Sequence, residues 1–176
     1  RRTIHFSIEA GAHGLVGPAN ASEFATLSDD ERRRWIEIVV AESGGQLPVV
    51  ASVTSGHTKL ALSLAKHAQQ VGADGIMAMP PHVLHPDADG CYDFYDALAL
   101  ALTVPICVQN FGGPIGTPMA PDLLARICRE LAQVEYIKEE TTPEPQRISQ
   151  VIAAAGEACR GVMGGQGGVY LLNEYP

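Results

Sequence analysis

Basic residues are scarce in this sequence: 12 Lys and Arg stand against 20 Asp and Glu, giving a formal net charge of −8 and a pI near 5.1. No Lys/Arg run offsets that charge locally, so neither a nucleic-acid partner nor an anionic membrane surface is expected. No uninterrupted apolar stretch approaches the ~20 residues of a membrane span. The four cysteines, Cys91, Cys107, Cys128 and Cys159, form no C-x-x-C pair and no tight Cys/His cluster. That argues against a zinc site and a disulfide framework, and scattered reduced thiols suit a cytoplasmic protein. No dinucleotide glycine fingerprint follows the first strand candidate, and no P-loop motif occurs. The chain opens Arg1-Arg2-Thr3 without an initiator Met, which suggests a fragment, and no signal-like apolar region follows.

What is present is 46% hydrophobic residues in 176, enough to bury a core, and a single domain over residues 1–176 is expected. Short runs rich in Val, Ile and Met recur about every 30 residues with amphipathic segments between them, the pattern of parallel strands joined by crossover helices. The strand candidates are His13 to Pro18, Pro48 to Thr54, Gly75 to Pro80, Pro105 to Asn110, Glu135 to Glu140 and Gly161 to Gly165. Ser28 to Glu31 reads as a capping box ahead of a helix over Arg32 to Ala41. Further helices are expected at Thr58 to Val71, Tyr92 to Leu102, Pro121 to Leu131 and Pro145 to Ala155.

Six such strands fit an open doubly wound sheet or most of a closed eight-stranded barrel, and periodicity alone does not choose. Polar residues gather just after several strands, at Asn20 to Glu23, Thr54-Ser55, Gln109-Asn110 and Lys138 to Thr141, which leans toward a barrel. Gly164-Gly165-Gln166-Gly167-Gly168 admits two readings: a backbone cradle for phosphate or carboxylate, or a flexible strand-to-helix turn.

Of the three lysines, at 59, 66 and 138, only Lys138 interrupts an apolar strand. Alternation puts Val134, Tyr136 and Lys138 on one face, pointing inward if the sheet closes. Burial there would strip solvation from an ammonium and favour the nucleophilic amine. The competing reading is a structural ion pair with Glu139 or Glu140, and the strand pattern leaves the two even.

Three blocks carry a family resemblance: Gly75 to Tyr92 (GIMAMPPHVLHPDADGCY), Pro105 to Gly116 (PICVQNFGGPIG) and Tyr136 to Thr141 (YIKEET). Together they resemble the dihydrodipicolinate synthase and N-acetylneuraminate lyase family of class I aldolase barrels. The resemblance implies a (β/α)8 TIM barrel, represented here by about strands 2 to 7, and it places Lys138 on the family's Schiff-base lysine. It also implies homo-oligomers, usually tetramers, and no cofactor or metal.

Departures from the family pattern redirect the expected chemistry. Gln109 stands where the family has a proton-relaying tyrosine, and an amide cannot titrate. The carboxylate-binding loop after barrel strand 2 corresponds to Ala19 to Glu23, which keeps Glu23 but offers Asn20 and Ser22 instead of a hydroxyl pair; a plain helix-entry loop is the alternative. Pro114 occupies the place of the arginine that holds a second substrate carboxylate in dihydrodipicolinate synthases. These features are similar to the 2-keto-3-deoxy-L-arabonate dehydratase branch, in its Ala-Asn-x-Ser-Glu loop, its Met-Ala-Met-Pro-Pro (Met77 to Pro81), its Val-Gln step (Val108-Gln109) and its Lys-x-Glu (Lys138 to Glu140).

The resemblance thus implies a lyase acting on a 2-keto acid, dehydrating a 2-keto-3-deoxy sugar acid, with Lys138, Gln109 and Glu140 as catalytic candidates. Asn20, Ser22, Glu23, His82 and Gly165 are candidates for binding substrate. His82 falls near a family tyrosine pair that reaches a neighbouring subunit's site, though a loop histidine is more often simply solvated. His57 reads as a helix cap and Cys107 as core. Two alternatives stand: a pyruvate-releasing aldolase, and a non-catalytic barrel that binds a small acid.

Overall fold

The computed structural model describes residues 1–174. Each run expected as a strand overlaps one: β1 (Leu15–Gly17), β2 (Val49–Ser52), β3 (Gly75–Ala78), β4 (Ile106–Phe111), β5 (Val134–Glu140) and β6 (Gly161–Gly164), with β4 and β5 each reaching one residue beyond the expected run. Every pairing is parallel, and the strands lie in the sheet in chain order from β1 to β6. That order separates the two architectures. A doubly wound sheet reverses its order at a switch point, whereas here each crossover advances by one strand in a constant direction. The chain forms a partial (β/α) barrel, with edge strands β1 and β6 not paired to each other.

The crossovers carry α2 (Asp29–Ser43), α3 (Thr58–Gln70), α4 (Ala88–Ala101), α5 (Pro121–Glu130) and α6 (Glu144–Ala155), flanked by α1 (Arg2–Glu9) and a short α7 (Leu171–Glu174). Helix α2 opens on the expected capping box. The Glu31 N–H donates to Ser28 Oγ at 3.3 Å, and the Ser28 N–H donates to the Glu31 carboxylate at 2.8 Å. These bonds hold the Glu31 carboxyl below its ordinary value. Ser28→Ala is expected to cost about 1 kcal/mol, read as a lower midpoint in urea denaturation with an unchanged slope.

Helix α3 is capped by His57, whose Nδ1 accepts the Leu60 N–H at 3.2 Å. Helix α4 begins at Ala88 rather than Tyr92 because Asp87 accepts the Gly90 N–H at 2.9 Å and caps the additional turn. Helix α1, which the apolar pattern does not announce, docks on α2 through Glu42, 2.8 Å from His5 Nε2 and 3.2 Å from Arg1 Nε. No helix among the described residues is long and apolar enough to cross a membrane.

The helices cover one face of the sheet. Ile36, Leu64, Phe94, Leu98, Leu124 and Ile127 are buried in one cluster with Ala51, Ile76, Ile106, Val108 and Ile137. Full burial of such a side chain is worth roughly 1.5–3 kcal/mol. Val134 joins this cluster instead of sharing a face with Tyr136 and Lys138, because the β4–β5 register shifts between Ile106 and Cys107. The other face of the sheet lines an open trough.

Candidate active site

The trough has a volume of about 1160 Å³ and runs from the strand starts, at Gly14, Pro48 and Pro105, to the strand ends, at Asn20, Lys138 and Gly165. At the ends of β4 and β5 the backbone register sets Gln109 beside Lys138 and Phe111 beside Glu140. Residues two apart on a strand share a face, so Lys138 and Glu140 both enter the trough. Lys138 Nζ lies 3.0 Å from Glu140 Oε1, with the lysine side chain 22% exposed and the glutamate 7%. The other Glu140 oxygen accepts from Gln109 Nε2 at 2.7 Å. Amine, carboxylate and amide thus form one continuous polar chain.

Glu139, between them in sequence, points the opposite way and is fully buried. Its carboxylate accepts from Asn110 Nδ2 and from the Thr141 N–H, each at 2.8 Å, and faces Arg147 Nε at 3.5 Å. Asn110 also exchanges two bonds with the Met119 backbone, donating at 3.1 Å and accepting at 2.8 Å. This network ties β4, β5 and the loop before α5 together behind the trough. Cys107 lies on the trough floor, where burial pushes its thiol up to about 12, so it is inert at neutral pH.

Asn20 and Ser22, in the turn after β1, also form part of the trough wall. Both the Oδ1 and Nδ2 atoms of Asn20 are buried without a hydrogen-bond partner among the described residues. Buried polar groups are normally paired, so this amide presents a donor and an acceptor without protein partners. Glu23 is exposed in the left-handed region (φ 53°) and lies off the trough wall, as does His82. The His82 ring packs edge-on against Phe24 at 5.7 Å, and burial, with Arg32 and His85 nearby, lowers its pKa. Gly165 lines the trough against Glu140, and its N–H is already engaged, donating to Glu144 Oε1 at 2.8 Å. Glu144 and the Arg147–Glu139–Asn110 network were not singled out by the sequence, since nothing in a helix's first turn marks a carboxylate as buried. No group of three or more His, Cys, Asp or Glu side chains among the described residues is arranged to hold a metal ion.

A lysine at a barrel strand end with a carboxylate and an amide in contact is a constellation that can be compared with known proteins. The model of the dihydrodipicolinate synthetase family matches residues 1–165. The chain belongs to this family. It is 36% identical over 157 residues to the 4-hydroxy-tetrahydrodipicolinate synthase of Syntrophobacter fumaroxidans, covering 89% of this chain and 53% of that one. It is 33% identical over 176 residues to the L-2-keto-3-deoxyarabonate dehydratase of Azospirillum brasilense, covering 98% and 56%. Among solved structures, the dihydrodipicolinate synthase from Aquifex aeolicus superimposes with a TM-score of 0.88 at 26% identity, over 98% of this chain and 58% of that one. The chain spans about half the length of the curated relatives it matches. Within the family, therefore, the relatives include both a synthase and a dehydratase.

Proposed function

We propose that the full-length protein is a Schiff-base-forming lyase that dehydrates a 2-keto-3-deoxy sugar acid. The observation that carries this reading is the contact chain from Lys138 through Glu140 to Gln109, at 3.0 and 2.7 Å. Glu140 takes a proton from the Lys138 ammonium, and the free amine adds to the C2 carbonyl. The proton on Glu140 leaves with the water lost from the carbinolamine, which becomes an iminium. The iminium is an electron sink, so Glu140 can remove a C3 proton while the C–H pair forms the C2–C3 double bond of an enamine. The enamine then expels the C4 hydroxyl, which departs as water with the proton held by Glu140. Loss of a C5 proton and protonation at C3 turn the conjugated iminium into a C4–C5 enol, which ketonises to the aldehyde, and hydrolysis of the C2 iminium then returns the lysine. No cofactor is called for.

Gln109 supports elimination over carbon–carbon cleavage, because cleavage requires a base that takes the proton from the C4 hydroxyl, and an amide can orient Glu140 but cannot act as that base. Asn20 and Ser22, which line the same trough as the lysine, are suited to the substrate carboxylate. Glu23 and His82 lie off that wall and have no part in the scheme.

Product analysis with a 2-keto-3-deoxy sugar acid tests the proposal. A semialdehyde without pyruvate is the expected result, and release of pyruvate would replace dehydration with aldol cleavage. Absence of turnover, together with failure of borohydride to trap pyruvate on the protein, would leave a non-catalytic acid-binding barrel. Glu140→Gln is expected to lower kcat by about 10²- to 10⁴-fold while pyruvate trapping at Lys138 persists, because the substitution removes the titrating group and leaves the nucleophile.

A further inference from the structure

Glu144 is fully buried at the first position of α6, beside the site yet outside the scheme above. One of its oxygens accepts the Gly165 N–H at 2.8 Å. The other, Oε2, is buried with no donor to accept from among the described residues. Burial raises its pKa against the opposing pull of the Gly165 N–H, and the neighbouring carboxylates of Glu174 and Glu140 raise it further.

Gly165 links this carboxyl to the chemistry. It stands so close to Glu140 that even a methyl group in its place would collide with the Glu140 carboxylate and Cγ. The glycine turn is therefore the wall behind the carboxylate that meets Lys138 and Gln109. We propose that Glu144 is a positioning residue of this site: by holding the Gly165 N–H it presses the glycine turn onto Glu140 and fixes that carboxylate between Lys138 and Gln109. The inference rests on the Schiff-base reading of Lys138.

The test uses the full-length protein and three variants, Glu144→Ala, Glu144→Gln and Gly165→Ala, each checked for folding by circular dichroism. Displacements near 1 Å can cost on the order of 10²-fold in rate, so Glu144→Ala is expected to lower kcat by about 10- to 100-fold with KM little changed. Its pH–rate profile should also shift, since Glu140 would lose its fixed surroundings. Glu144→Gln keeps an oxygen to accept the Gly165 N–H, so it should restore most of the rate. Gly165→Ala should reproduce the loss without touching Glu144. Wild-type kcat and pH profile in Glu144→Ala or in Gly165→Ala would overturn the proposal, as would a Glu144→Gln variant no better than alanine. Should Glu144→Ala fail to fold, the other two variants decide alone. Borohydride trapping of pyruvate on the wild type separates the levels: its failure removes the Schiff-base reading itself, whereas trapping with unaffected variants removes only the role of Glu144.

Discussion

Full-length protein carrying Lys138→Ala is expected to lose borohydride trapping of pyruvate completely and to lose turnover on the order of 10⁵-fold or more, the scale that follows removal of a covalent nucleophile. Alanine alone does not separate a nucleophile from a structural cation, because it also strips Glu140 of the partner 3.0 Å away. Lys138→Arg makes the separation. Arginine keeps the positive charge beside Glu140, but its guanidinium stays protonated and forms no imine. If the ion pair were the purpose of Lys138, the arginine variant would retain activity. If the amine is the nucleophile, the arginine variant is as inactive as the alanine variant while folding like the wild type. Mass analysis of the intact protein after reduction with pyruvate reads the first property, and a thermal melt reads the second. A trapped or active Lys138→Arg variant would sink the Schiff-base assignment.

The second large effect concerns stability. Glu139→Ala is expected to destabilise the protein by about 3 kcal/mol, roughly a hundredfold in the folding equilibrium, because removing one member of a buried ion pair leaves the other uncompensated. The Thr141 N–H and Asn110 Nδ2 lose an acceptor, and the Arg147 guanidinium loses its counter-ion. Asn110 keeps its bond to the Met119 carbonyl, and the Arg147 side chain is 17% exposed, which limits the loss to the lower part of the usual range. Glu139→Gln preserves an acceptor for Thr141 and should cost less. Urea denaturation gives the comparison, with the midpoint falling further for alanine than for glutamine. Equal midpoints in the wild type and the alanine variant would show that the network contributes nothing to folding.

The alternating strand and helix pattern was legible because parallel strands covered by helices are written as compact apolar runs, and all six runs overlap strands. Their order in the sheet was not legible. Nothing local in Val49 to Ser52 or Gly75 to Ala78 says which neighbour it takes, and that choice separates a barrel from a doubly wound sheet. Capping was readable at Ser28, where both partners of the box are present, and missed at Asp87, where one acidic side chain lengthens α4. The face of Val134 was misread because a register shift between neighbouring strands leaves no trace in either one's sequence. Lys138 stood out as the one cation in an apolar strand, and the structure places it in contact with Glu140. The contribution of Glu144 was invisible, since its burial depends on a glycine turn that arrives 21 residues later in the chain.

Glu139 and Glu140 are chemically identical neighbours, yet the pleat of β5 sends one into the scaffold and the other into the trough. Parity of position, rather than residue type, divides their labour. Inserting or deleting a single residue in β5 ahead of Lys138 would therefore do more than disturb packing. A deletion would turn the lysine toward the helices and bring Glu139 into its place, whereas an insertion would set the lysine against Arg147 and put Ile137 in the trough, so that one slip in register erases fold and chemistry together. The loops at either end of the strand carry no such constraint of odd and even, and length variation is expected to be tolerated there first.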